Sequence, residues 1–288
     1  MAIEIKENEI LANHSTFKIG GPARYFTTVK NKEEIIEALN FAKDKNLSYF
    51  VIGCGSNILF NDKGFDGLII KIQISSFKIQ NSIITAGSGF LLSQLLNFCI
   101  QNNLSGLEWA VGIPGTIGGA IADNCGAYLK SISESVLNVL VLDKNGNTKN
   151  YNREECKFIY RGSRFKSLDN KEIILEAEFS FEKSDRDVKE KVKNILEQRK
   201  GKIPSLSSVG CIFKNDKEKA VIAGKLIEQC GLAGHTIGHA QISELHTNII
   251  VNLGGATSKD VLELISLCKQ KVREKFNVEL EEEVVIML

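Results

Sequence analysis

Residues 109–128, WAVGIPGTIGGAIADNCGAY, gather Gly112, Gly115, Gly118, Gly119 and Gly126 around Pro114. A run this rich in glycine cannot be a regular helix or strand without losing stability at each one. Glycine is suited instead to chain that turns sharply or lets backbone come close to something else. The spacing predicts a loop of close approach, with Thr116 and Asn124 as its hydrogen-bonding groups.

A second such segment lies upstream. VIGCGSNILF puts Gly53, Gly55, Ser56 and Asn57 directly after a β-branched and aromatic run. Bare backbone amides there can approach a phosphate, although an ordinary tight turn uses the same residues. The segment is not a G-x-G-x-x-G dinucleotide fingerprint, because Ile58 stands where the last glycine belongs. Two glycine loops in one half of a chain point to a large, flat, phosphate-bearing cofactor.

Around these loops the pattern is that of an α+β protein. Asn31 followed by Glu34 forms a capping-box pair, and Ile35, Leu39 and Ala42 continue at helical spacing, predicting a helix over about 32–45. LSYFVIG and GLIIKI read as flanking strands, closing a small α/β unit near residue 72. SIITAGSGF predicts a strand, residues 91–102 a helix, and VLNVLVL a strand that turns back at DKNGN. EIILEAEFSF alternates, with Ile173, Leu175, Ala177, Phe179 and Phe181 on one face. Ser184–Arg199 reads as a charged amphipathic helix, and KGKIPSLSS after it as a linker. Beyond it, AVIAGKLIEQCG predicts a helix stopped by Gly231, and Thr257 with Asp260 opens a second. The expected division is 1–72, 73–200 and 201–279, with 280–288 packing back on the first part.

Composition removes several function classes. Thirty-six Lys+Arg against 35 Asp+Glu leave a net charge of +1, so there is no whole-protein field for nucleic acid or an acidic membrane. The opening MAIEIKENEI lacks the apolar core of a signal peptide, and no run reaches the roughly 18 apolar residues of a spanning helix. The expectation is a cytoplasmic protein without nucleic-acid or membrane partners. Seven scattered cysteines with no C-x-x-C pair disfavour disulfides and a zinc cluster, which makes buried filler the default for each. His235 and His239 could share a metal only on a helix, which Gly234 and Gly238 oppose, so no metal is expected. Cys211 in SVGCIFKN, directly after a glycine, is open to three readings: filler, metal ligand or proton donor.

In order along the chain, STFKIGGPARYF, VIGCGSNILF, GIPGTIGGAIADNCGAY, YRGSRFK, SVGCIFKN, AGKLIEQCGLAG, GHAQISELHTNIIVN and LEEEV resemble the motifs of the UDP-N-acetylenolpyruvoylglucosamine reductase family, in its shorter form. The resemblance runs from about residue 13 to 285. It implies a three-domain flavoenzyme, with a vanillyl-alcohol-oxidase-type pair of FAD-binding domains and a C-terminal α+β substrate domain. It also implies non-covalent FAD, NADPH as co-substrate and UDP-N-acetylglucosamine enolpyruvate as substrate, reduced to the peptidoglycan precursor UDP-N-acetylmuramate. Such an enzyme serves cell-wall synthesis, and through it cell shape and division.

Carried over by motif position, the resemblance implies that Gly53, Gly55, Ser56, Asn57, Ile113, Pro114, Thr116, Gly118, Gly119 and Asn124 bind the cofactor. It implies that Asn215, Gln241 and Lys202 bind substrate. Hydride addition at C3 of the enolpyruvyl group leaves charge at C2 and on the carboxylate, so such a site needs a cation and an acid. Arg161 and Glu283 match the family's carboxylate-polarising pair, with Arg164 and Glu282 as the nearest competing positions. Cys211 matches the proton donor, where serine is usual. Ser207, Asp216 and Glu282 stand where the family usually has proline. The competing functions are another FAD-dependent oxidoreductase of the same fold and a nucleotide-binding protein without catalysis.

Overall fold

The structure is a computed structural model that describes residues 3–166, 172–215 and 221–287. It divides into two compact units. Unit 1 comprises Met1–Ile5, Phe26–Cys54 and Leu68–Gln198, and unit 2 comprises Lys6–Tyr25, Gly55–Gly67 and Arg199–Leu288.

In unit 1, helix α1 (Lys32–Asp44) begins at Asn31 as expected, but the returning bond of the expected capping box falls one residue earlier. The Asn31 side chain accepts the Glu34 N–H at 2.9 Å, and Glu34 reaches back to the Lys30 N–H at 2.7 Å. Ile35, Ala38 and Ala42 form its buried stripe. Strand Tyr49–Ile52 then pairs in parallel with the part of Phe65–Ile72 that starts at Leu68. The centre of the unit is an antiparallel sheet ordered Thr148–Asn152, Val136–Leu142, Ile173–Ser180, Ile83–Gly87, Phe77–Gln80. Helices α2 (Leu92–Gln101) and α3 (Ile117–Ala122) supply Leu92, Leu95, Cys99, Ile117 and Ile121 to a core shared with Trp109, Val139, Ala177 and Phe179. Burial pushes the Cys99 thiol up to about 12, as befits a filler.

Two further expectations are corrected here. The alternation of 173–181 is imperfect, because Ile174 is buried beside Ile173 and Leu175 where the register shifts opposite Leu140 and Val141. Helix α4 (Val188–Arg199) starts four residues later than Ser184. Glu182–Lys183 pair instead with Leu104–Ser105, the Ser184 N–H donates to the Asn103 carbonyl, and the Asn103 side chain accepts the Val188 N–H at 3.0 Å. A helix-starting partner 85 residues upstream leaves no local trace in the sequence.

In unit 2, helices α5 (Ala223–Gln229) and α6 (Ser258–Phe276) pack with a short antiparallel sheet of Thr236–Ile237, Ala240–Ile242 and Ile250–Asn252. The helix expected from Ala220 begins at Ala223; Ala220 itself lies outside the described residues. Gly231 follows it with φ +74°, a conformation free of cost only to glycine. Strand Val285–Met287 pairs in parallel with Ile58–Phe60. Among the described residues no helix is long and apolar enough to cross a membrane.

The start of α6 is held twice. Thr257 and Asp260 form the expected capping box. The Asp62 carboxylate also accepts the Ser258 N–H at 2.8 Å and the Ser258 hydroxyl at 2.7 Å. Asp62→Ala should therefore lower stability by about 1 kcal/mol, seen in calorimetry as an earlier transition; an unchanged melting profile would mean the capping box alone suffices.

Candidate active site

The two glycine loops meet in unit 1. A Cβ on Gly53 would lie 2.3 Å from Oγ1 of Thr116, so only glycine lets the strand end approach the second loop so closely. Thr116 is buried and caps α3, its hydroxyl accepting the Gly119 N–H. The Gly118 N–H donates to the Ser88 carbonyl at 2.8 Å, which brings a third segment, Gly87–Gly89, to the same place. Ser88 was not singled out from sequence. Its side chain is buried, and its hydroxyl has no partner among the described residues. Ile113 is half-buried, while Pro114 and Gly119 are exposed at the mouth of the loop.

The chain leaves unit 1 after Cys54. Gly55, with φ +62°, would place a Cβ 2.2 Å from the His14 carbonyl, and its own carbonyl accepts the Thr16 N–H. Its glycine character is thus demanded by the neighbouring chain of unit 2 as well as by any ligand. Ser56 and Asn57 follow, half-buried.

Arg161 sits in a two-residue turn of unit 1, closed by N–H to carbonyl bonds in both directions between Ile159 and Gly162. Its φ is +56°, unusual for a residue with a side chain. Arg164, the competing arginine, is committed to structure. It bonds the Glu172 carboxylate at 3.2 Å and the Glu155 carbonyl at 3.0 Å, and lies 3.8 Å over the Tyr151 ring. Asn124, expected to contact a cofactor, uses both ends of its amide on backbone: it donates to the Ile159 carbonyl at 2.8 Å and accepts the Ser133 N–H at 3.3 Å.

Unit 2 brings Cys211 and Glu283 to adjoining backbone. Cys211 bridges to Ile249, and the next residue, Ile212, accepts the Glu283 N–H at 2.7 Å. Asn57 joins them, its side chain donating to the Glu283 carbonyl at 3.3 Å and its carbonyl accepting the Val285 N–H. The neighbouring glutamates have lysine partners: Glu281 pairs with Lys214, and Glu282 with Lys269 at 2.8 Å.

The remaining predicted residues also lie in unit 2. Asn215 accepts the Ala223 N–H at the start of α5. Gln241 donates to the Gly234 carbonyl and to Thr236 within the sheet. Lys202 is exposed, its N–H bonded to Arg199. Asp216 lies outside the described residues.

The contact of Gly53 with Thr116 makes a prediction. Gly53→Ala should cost about 1–3 kcal/mol through the clash, and Thr116→Ala about 1 kcal/mol through the lost cap. Melting temperatures should show the Gly53 substitution costing little more once Thr116→Ala is in place. An equal penalty in both backgrounds would mean that the loops do not press on each other there.

Comparison with known proteins places this geometry. Residues 202–287 match the family model for the "UDP-N-acetylenolpyruvoylglucosamine reductase, C-terminal domain", and residues 23–152 match that for the "FAD binding domain". The UDP-N-acetylenolpyruvoylglucosamine reductase of Clostridium tetani is 40% identical over 286 residues, covering 98% of this chain and 92% of that protein. That of Caldicellulosiruptor bescii is 42% identical over 287 residues, covering 98% and 90%. Among solved structures, the UDP-N-acetylenolpyruvylglucosamine reductase of Thermus caldophilus superposes over 100% of both chains with a TM-score of 0.84 at 32% identity. Identity sustained at this level along nearly the whole of both partners is kinship of entire chains, and this chain belongs to the UDP-N-acetylenolpyruvoylglucosamine reductase family.

Proposed function

We propose that this chain is an FAD-dependent oxidoreductase that reduces UDP-N-acetylglucosamine enolpyruvate to UDP-N-acetylmuramate at the expense of NADPH. Full-length kinship to reductases of that name supports the activity. The observation that carries the residue roles is the Glu283 N–H to Ile212 carbonyl bond, which sets the carboxylate-bearing and thiol-bearing segments side by side.

The residues present fit a bound flavin nucleotide. Gly53 leaves its strand end bare where the Thr116 loop meets it, and the buried Ser88 hydroxyl still has bonding capacity. Gly53, Gly55, Ser56, Asn57, Ile113, Pro114, Thr116, Gly118 and Gly119 are assigned to hold it. When bound there, FAD would supply a hydride carrier between NADPH and C3 of the enolpyruvyl ether.

The chain's own groups manage the charge that follows. Arg161 is assigned to the substrate carboxylate, where a guanidinium matches two oxygens at once. Glu283 is assigned to the same polarised end, and Cys211 to protonation of C2. A free thiol, with a pKa near 8.5, is mostly protonated at neutral pH yet releases its proton far more readily than an alcohol. Solvent then restores the thiol proton. Asn215, Gln241 and Lys202 are assigned to the nucleotide sugar. We further assign residues 201–279 as the substrate part, supported by the family match from residue 202 and the unit boundary at Arg199. The site of action is the cytoplasm, where the NADPH and nucleotide-sugar pools lie.

The flavin should be non-covalent, so acid precipitation should leave the yellow colour in the supernatant; colour in the pellet would contradict this. NADPH oxidation should depend on the enolpyruvyl sugar, and its absence with flavin-loaded enzyme would overturn the activity. Cys211→Ala should slow substrate-dependent flavin reoxidation by about 10² to 10⁴, leaving reduction by NADPH intact, while Cys211→Ser should retain turnover. Full turnover by Cys211→Ala would return the thiol to filler.

A further inference from the structure

We infer that Asn124 and Lys166 are positioning residues for Arg161, holding the left-handed turn that presents its guanidinium. This rests on the role proposed above for Arg161.

A residue with a side chain at φ +56° is strained and persists only where its surroundings over-determine it. The turn is fixed at three points. Before it, the Asn124 side chain donates to the Ile159 carbonyl at 2.8 Å. At it, the Lys166 ammonium donates to the carbonyl of Arg161 itself at 3.1 Å. After it, the Ser163 hydroxyl donates to the Ala122 carbonyl at 2.9 Å. Lys166 is in turn paired with Asp123 at 2.9 Å, so its charge beside the arginine turn is compensated.

All three fixings lead back to residues 122–124, the end of α3. The other end of that helix is Thr116, pressed against Gly53. Six residues of helix, about 9 Å long, thus connect the glycine loop to the arginine turn. Asn124 spends one amide hydrogen and one oxygen lone pair on backbone, and the first of these bonds fixes this turn.

Stopped-flow half-reactions of the flavin-loaded enzyme test the inference. Lys166→Met should slow reoxidation by the enolpyruvyl sugar about 10- to 100-fold, with flavin content and NADPH reduction close to the parent, and Asn124→Ala should slow reoxidation of its flavin-loaded fraction to a similar degree. In the Arg161→Ala background Lys166→Met should add nothing, because its effect passes through the arginine. If Asn124→Ala, being buried, yields no folded protein, Lys166→Met decides alone. Parent-like reoxidation by Lys166→Met, or effects that multiply with Arg161→Ala, would overturn the inference. A fast Arg161→Ala single variant would instead remove the role of the arginine itself, a result separable from the other two.

Discussion

Chain that enters the core without joining a sheet must still satisfy every buried N–H and C=O, and unit 2 depends on how residues 211–214 do so. Ile212 and Phe213 are almost wholly buried, yet neither belongs to a strand, and only isolated bridges at Cys211 and Phe213 flank them. Asn248 resolves this by bonding Phe213 from both ends of its amide, accepting its N–H at 2.9 Å and donating to its carbonyl at 2.8 Å, while its own carbonyl takes the Ile212 N–H. The opposite side is satisfied by the Glu281 carbonyl and the Glu283 N–H. Cys211 and Glu283 are neighbours because this accounting has to close.

The same logic explains which cysteines are inert. Cys99, Cys156 and Cys268 lie inside cores, and burial holds their thiols near 12, 11 and 12. Cys211 is half-buried, although Ile212 and Phe213 beside it belong to the core of unit 2. Its surroundings differ from theirs in kind, which the sequence signalled only through the glycine before it and the motif around it.

What could be read from sequence was what local chemistry decides. The N-cap at Asn31, the capping box at Thr257, the hairpin at Asp143, and the glycine-rich segments all depend on partners within a few residues. Arg161, Cys211 and Glu283 were reached by motif resemblance alone, while the ion pairs of Arg164 with Glu172 and of Glu282 with Lys269 had no signal in the sequence. The contact of Gly53 with Thr116, the delayed start of α4, the buried Ser88 hydroxyl and the bond from Asn124 to Ile159 escaped, because each joins residues far apart in the chain. No window of sequence contains both halves of such a contact.

Unit 2 is assembled from three stretches of chain, with most of unit 1 encoded between the second and third. Its parallel pair joins Ile58–Phe60 to Val285–Met287. During synthesis the early strand therefore emerges long before its partner exists, and unit 1, whose antiparallel sheet is complete by Ser180, can fold first while that edge waits. Pairing across such a separation is entropically slow. The thiol-bearing unit thus cannot close this strand pair until residues 285–287 have been made, so its assembly is tied to late synthesis although two of its three stretches are encoded early.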